Sequence, residues 1–218
     1  NGPQPTAGPP MVISGTNGTL TIDEIRLIVA EVELEGDDDT CEDDTAATTD
    51  CAEFEAPPRF LDLPLDGESV EAFLGLVPAG VYNELEFEIE DLEDDETDTQ
   101  FAAEIAELRL QILTEFPDWP RKATALVAGT FESANGSIDF QVYLEAEIEI
   151  ERSLVPPLVV GEGGSDGTDL TIALRPDLWF TRSDGSILEL HLYDYATTGL
   201  LLEFELEMED GILEIEQR

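Results

Sequence analysis

The sequence predicts a mainly all-β fold, an antiparallel β-sandwich with one short helix near 100–116. Three segments carry that prediction. Across 76–90 a Pro78-Ala79-Gly80 turn leads into an alternation that sets Val81, Leu85, Phe87 and Ile89 on one side and Tyr82, Glu84, Glu86, Glu88 and Glu90 on the other. Over 138–151, Ile138, Phe140, Val142, Leu144, Ile148 and Ile150 oppose Glu145, Glu147, Glu149 and Glu151. Over 200–209, Leu200, Leu202, Phe204, Leu206 and Met208 oppose Glu203, Glu205, Glu207 and Glu209. Side chains of a strand alternate faces, so each segment has one dry and one acidic face. Three dry faces share an interior most simply between two packed antiparallel sheets.

Charge sets the environment. The 218 residues hold 52 acids against 9 bases, a formal charge of −43, while apolar residues make up an ordinary 42%. That apolar share supports a packed core rather than a disordered acidic chain. A polyanion of this density repels nucleic acid and anionic membrane, so neither is an expected partner. Lys122 is the single lysine, a balance that resembles proteins of a salt-adapted or a GC-rich source. No run of about 18 apolar residues is present, so no membrane-spanning helix is expected in these residues.

The Pro/Gly-rich residues 1–10 read as a tether and resemble a mature N-terminus left by cleavage, pointing to a secreted, cell-surface protein. With the apolar patch Met11, Val12 and Ile13 and the turn at 14–18, they form an N-terminal segment, 1–18, ahead of a single sandwich domain over 19–218. Residues 19–35 alternate with two parity slips, at Asp23-Glu24 and before Val32, as β-bulges produce. An acidic loop follows over 36–58. Cys41 and Cys51 lie within it, ten positions apart, and their spacing and number favour a local disulfide over a zinc site, because one distant His191 cannot complete a tetrahedral ligand set. Seven acids stand between 37 and 50. Asp37, Asp38, Asp39, Asp43 and Asp44 offer oxygen ligands for calcium, although their spacing does not match the twelve-residue calcium loop, and a hydrated surface loop is the plainer reading.

Further along, Phe60 to Leu63 reads as a short strand and 68–76 as a turn of helix. Phe101, Ile105, Leu108, Ile112 and Phe116 recur at helical spacing, with Thr97, Asp98 or Thr99 as N-cap and Pro117 as stop, while Leu108, Leu110 and Ile112 leave a strand open. Asn135-Gly136 predicts a hairpin between 124–132 and 137–151. Strands are expected near 169–175, 178–182 and 187–193, and a terminal hairpin from 200–209 and 212–216.

No catalytic signature stands out. His191 is the only histidine, lies between Leu190 and Leu192 on an expected strand, and has no nucleophile motif beside it, so it reads as a surface histidine and the chain as non-enzymatic. Asn17-Gly18-Thr19 and Asn135-Gly136-Ser137 both fit the N-glycosylation acceptor pattern, in expected turns.

The order Ile28 to Leu34, acidic insertion, Phe60-Leu61-Asp62-Leu63, then Val77-Pro78-Ala79-Gly80-Val81-Tyr82 resembles a family of uncharacterised secreted surface proteins and lipoproteins of bacteria and archaea. The stretch from Leu170 to Phe180 is similar to a later strand of such proteins. The resemblance covers about residues 19–90 and implies a small β-sandwich without enzymatic activity. It supplies no functional residues.

Two functions follow as expectations. The first is an extracellular structural subunit of a filament or matrix, whose partner is itself, assembled by exchange of the Met11–Ile13 strand, with the 200–216 hairpin as rival donor. The second is a monomeric calcium-binding adhesion or binding domain at the cell surface.

Overall fold

A computed structural model of the chain describes residues 9–36, 53–66, 77–92, 101–161, 170–204 and 212–217. The chain folds as the expected mainly all-β structure. One sheet holds β1 (Met11–Gly15), β2 (Gly18–Val29), β7 (Ala125–Ser133), β8 (Gly136–Glu145) and β11 (Leu202–Glu203) in that order, and β5 (Arg59–Asp62) also pairs with β2. A second sheet runs β4 (Glu53–Ala56), β3 (Glu31–Glu35), β6 (Gly80–Ile89), β9 (Ile148–Val160). A separate pair joins β10 (Leu170–Leu174) to β12 (Ile212–Gln217). Pairing is antiparallel throughout, apart from the two-residue parallel contact of β11 with β8.

The inner faces of the two sheets share one core. Leu20, Ile22, Val127 and Val142 of the first sheet cluster with Leu34, Leu85, Phe87 and Ile148 of the second. Each such side chain, removed from water, contributes roughly 1.5–3 kcal/mol. The chain passes from the first sheet to the second at Ala30, between β2 and β3, and at Ala146, after β8. Buried Thr124 satisfies the backbone at the second corner. Its N–H and hydroxyl both donate to Leu144 O (2.9 and 3.3 Å), and its Oγ1 accepts from Ala146 N–H (3.1 Å).

The two parity slips have different causes. The first is a bulge, because the β2–β7 register shifts between Ile22 and Glu24. The second is the change of sheet at Ala30. On the outer side of the first sheet, Leu108 and Ile112 of helix α1 (Ala102–Glu115) pack on Ile28, with Phe60, Leu92 and Trp119 around them. Leu110 is 68% exposed, which decides for helical over alternating periodicity. Arg26 lies beside this helix, pairing with Glu24 (2.8 Å), Asp62 (3.3 Å) and Glu115 (3.4 Å).

Several expectations are corrected. Helix α1 is capped by Phe101 without a side-chain hydrogen bond; Thr97, Asp98 and Thr99 lie outside the described residues. Tyr82 is in the core and Val81 is only partly buried, because a register shift between Tyr82 and Glu84 reverses the parity of β6. The 138–151 segment is two strands in different sheets, and Ile138, near the hairpin tip, is half exposed. Residues 178–182 and 187–193 form no strands beyond a Thr181–Ile187 bridge. A short helix α2 (Pro176–Trp179) and a 3-10 turn (Leu190–Tyr193) stand there, followed by α3 (Tyr195–Thr198). Among the described residues of the expected 200–216 hairpin, β11 pairs with β8 and β12 with β10 rather than with each other; 205–211 lie outside the described residues. The expected helical turn at 68–76 lies outside the described residues.

Candidate functional site

The outer face of the four-stranded sheet is a grid of glutamates. Alternation in β3, β4, β6 and β9 turns their apolar residues to the core, and the antiparallel register then lines up the acids. Glu55, Glu33, Glu86 and Glu151 form one row across the four strands. Glu53, Glu35, Glu84 and Ser153 form the row on one side, and Glu31, Glu88 and Glu149 the row on the other. Ten of these eleven positions are glutamate, and directly opposed residues in such a ladder stand about 4.5–5.5 Å apart at Cβ.

Crowded, partly desolvated carboxylates resist ionisation. Burial first, then a hydrogen bond to Glu31 and the charges of Glu31, Glu35 and Glu53, pushes Glu33 up to about 8. Glu84 is pushed up to about 7, chiefly by a hydrogen bond with Glu151. Glu88 reaches about 7 through burial and then the charges of Glu86, Glu90, Glu149 and Glu147. Glu31 and Glu86 are also raised, in both cases mainly by burial.

Glu86, Glu88 and Glu149 each place a carboxylate oxygen within 4.8 Å of the other two. Calcium–oxygen distances of 2.3–2.6 Å fit that separation, with water completing the shell. The face can therefore hold protons or draw cations. Comparison with protein-family models, with curated proteins and with solved structures finds no match.

The residues singled out in the sequence are dispersed. Asp37, Asp38, Asp39, Asp43, Asp44, Cys41 and Cys51 lie outside the described residues. Met11, Val12 and Ile13 form β1, paired in their own chain with Ile22, Thr21 and Leu20. Ile13 is buried, Met11 packs on the core and Val12 is 60% exposed. The Asn17 amide donates to Ile187 O (2.9 Å) and Glu189 Oε1 (3.1 Å), so its nitrogen is already engaged, whereas Asn135 is exposed at a hairpin tip. His191 is not a free surface residue. Its ring stacks on Phe131 at 4.7 Å and 16°, and its buried Nδ1 makes no hydrogen bond among the described residues. No helix among the described residues is long and apolar enough to cross a membrane.

Of the three acidic ladders, Glu84–Glu88 and Glu149–Glu151 are neighbours, while Glu145 pairs with Glu203 in the other sheet and lies 3.5 Å from Lys122. Sequence reasoning missed Glu31, Glu33, Glu35, Glu53 and Glu55. The signals were the alternations Glu31-Val32-Glu33-Leu34-Glu35 and Glu53-Phe54-Glu55, too short to stand out beside the longer ladders.

Proposed function

We propose that this protein is a non-enzymatic extracellular structural subunit of a surface filament or matrix, assembled with copies of itself by exchange of β1. The supporting observation is the position of β1. It is an edge strand at the N-terminal end of the described fold, held to one neighbour by a five-residue ladder and burying Ile13. The Pro/Gly-rich residues before it supply reach. A second copy's β1 would fill the same slot on β2 with the same five register pairs, so exchange preserves the contacts and requires only opening. The rival donor is less favoured, because the described strands of 200–216, β11 and β12, belong to different sheets.

The test compares the full chain with a chain lacking residues 1–18, by light scattering and electron microscopy. Assembly by the full chain and none by a folded deletion variant supports the reading. Equal assembly by both contradicts it.

A second reading, a calcium-binding surface module, is favoured by the Glu86, Glu88 and Glu149 oxygens. Calcium that binds the folded state raises Tm with concentration. The module reading requires that calcium outdo magnesium and that Glu88→Gln abolish the difference.

A further inference from the structure

We propose that Asn17 is a latch that holds β1 in its own sheet, and that its release gates exchange of that strand. Thr16 and Asn17 make the two-residue turn between β1 and β2, closed where Gly15 faces Gly18. The turn is docked on the far end of the chain. Thr16 N–H donates to Gly185 O (3.0 Å). The Asn17 side-chain amide donates to Ile187 O (2.9 Å) and to Glu189 Oε1 (3.1 Å), and its Oδ1 accepts from Ile187 N–H (2.9 Å). The asparagine amide serves a carbonyl and an N–H of one residue together, which an aspartate without a donor or a hydrophobe with neither group could not.

The surface that receives the turn is itself closed. Arg182 N–H donates to Ser186 O (2.8 Å) and Gly185 N–H to Arg182 O (2.9 Å), while the Asp184 carboxylate accepts from the N–H and hydroxyl of Ser186. Contact is close enough that a Cβ on Gly15 would stand 2.9 Å from Ile187 Cγ2 and 3.0 Å from Gly185 O. The other tight hairpin gives the contrast. At the β7–β8 turn Asn135 is exposed, and its N–H donates locally to Ser133 Oγ at 3.2 Å.

For β1 to leave, the reversal at Thr16-Asn17 must extend into a hinge. The Asn17 bonds run to residues 187 and 189 rather than to β2, so they oppose that extension independently of the β1–β2 ladder. Release of Asn17 therefore precedes release of the strand. The gating of exchange rests on the strand-exchange reading above; the latch does not.

Amide hydrogen exchange on the full chain tests both. In Asn17→Ala, three hydrogen bonds are lost, each worth about a fivefold change in an opening equilibrium, so the β2-protected amides of β1 should exchange on the order of a hundredfold faster. Amides of β7 and β8 should keep their rates. Glu189→Ala removes one bond and should give a smaller increase confined to β1, which keeps the test open if Asn17→Ala does not fold. Asn135→Ala should leave β1 unchanged. Unaltered β1 exchange in Asn17→Ala, or in Glu189→Ala where the former does not fold, overturns the latch, as does a rise shared equally by β7 and β8. Faster β1 opening with faster assembly supports the gating. Faster opening with no assembly by either chain overturns the gating and the assembly reading while the latch stands.

Discussion

Glu33 of β3 and Glu86 of β6 lie directly opposite each other on the outer sheet face, in a row continued by Glu55 and Glu151 with no basic residue in it. Two like unit charges about 5 Å apart repel by roughly 3 kcal/mol at an effective dielectric constant near 20. This face therefore folds against its own charge, and protonation or counter-ions must relieve it.

The first prediction concerns pH. Glu33 ionises near 8 and Glu84 and Glu88 near 7, against an ordinary 4.5. Between those values the folded chain binds more protons than the unfolded one, so stability falls as pH rises through the window from about 4.5 to about 8. In dilute buffer Tm should increase on going from pH 8 to pH 5. Glu86→Gln and Glu88→Gln should each stabilise by about 0.2–1 kcal/mol at pH 8 and flatten the profile. Glu132→Gln, on the exposed part of β7, should do neither. A Tm highest at pH 8 in the unsubstituted protein would contradict this.

Salt should act in the same direction at neutral pH. At molar ionic strength the Debye length is about 3 Å, shorter than the spacing between facing glutamates, so most of the repulsion is screened. Thermal melts at pH 7.5 in dilute buffer with chelator and in molar sodium chloride should differ, with the saline sample more stable. Equal melting temperatures would remove the grid as a determinant of stability.

Arg26 is the third test. Its side chain is 12% exposed and meets Glu24, Asp62 and Glu115, tying β2 to β5 and to the end of α1. The acids are a third or more exposed, so water screens much of the attraction. Arg26→Met should destabilise by about 1–2 kcal/mol. Denaturant melts that coincide with the unsubstituted protein would deny it this role.

Thr124→Val should cost about 1–3 kcal/mol, despite the near-equal volume. It leaves Ala146 N–H without its acceptor at the corner between the two sheets. A stability change below about 0.5 kcal/mol would mean that the corner finds another partner.

Much of the fold was legible because alternation reports which side of a strand is dry. Leu85, Phe87 and Ile89 were placed inside on that basis and are buried. Tyr82 was misplaced because a register shift reverses parity without altering composition. Leu188, Leu190 and Leu192 alternate as a strand would, yet Leu190 begins a 3-10 turn, a distinction that depends on contacts with β8 far away in sequence. The glutamate grid was half legible. Each ladder is local, but which ladders become neighbours is decided by pairing across the chain, and Glu145 and Glu149 end in different sheets. The contact of Asn17 with Ile187 left no local trace at all.

Exchange of β1 is tested most directly by the register itself. Val12 and Thr21 are partners across β1 and β2. In a Cys41→Ser, Cys51→Ser background, one chain would carry Val12→Cys and a second Thr21→Cys. After mixing, assembly and mild oxidation, strand exchange predicts covalent dimers containing one chain of each kind. Single chains that stay unlinked, while a chain carrying both cysteines closes only upon itself, would contradict it.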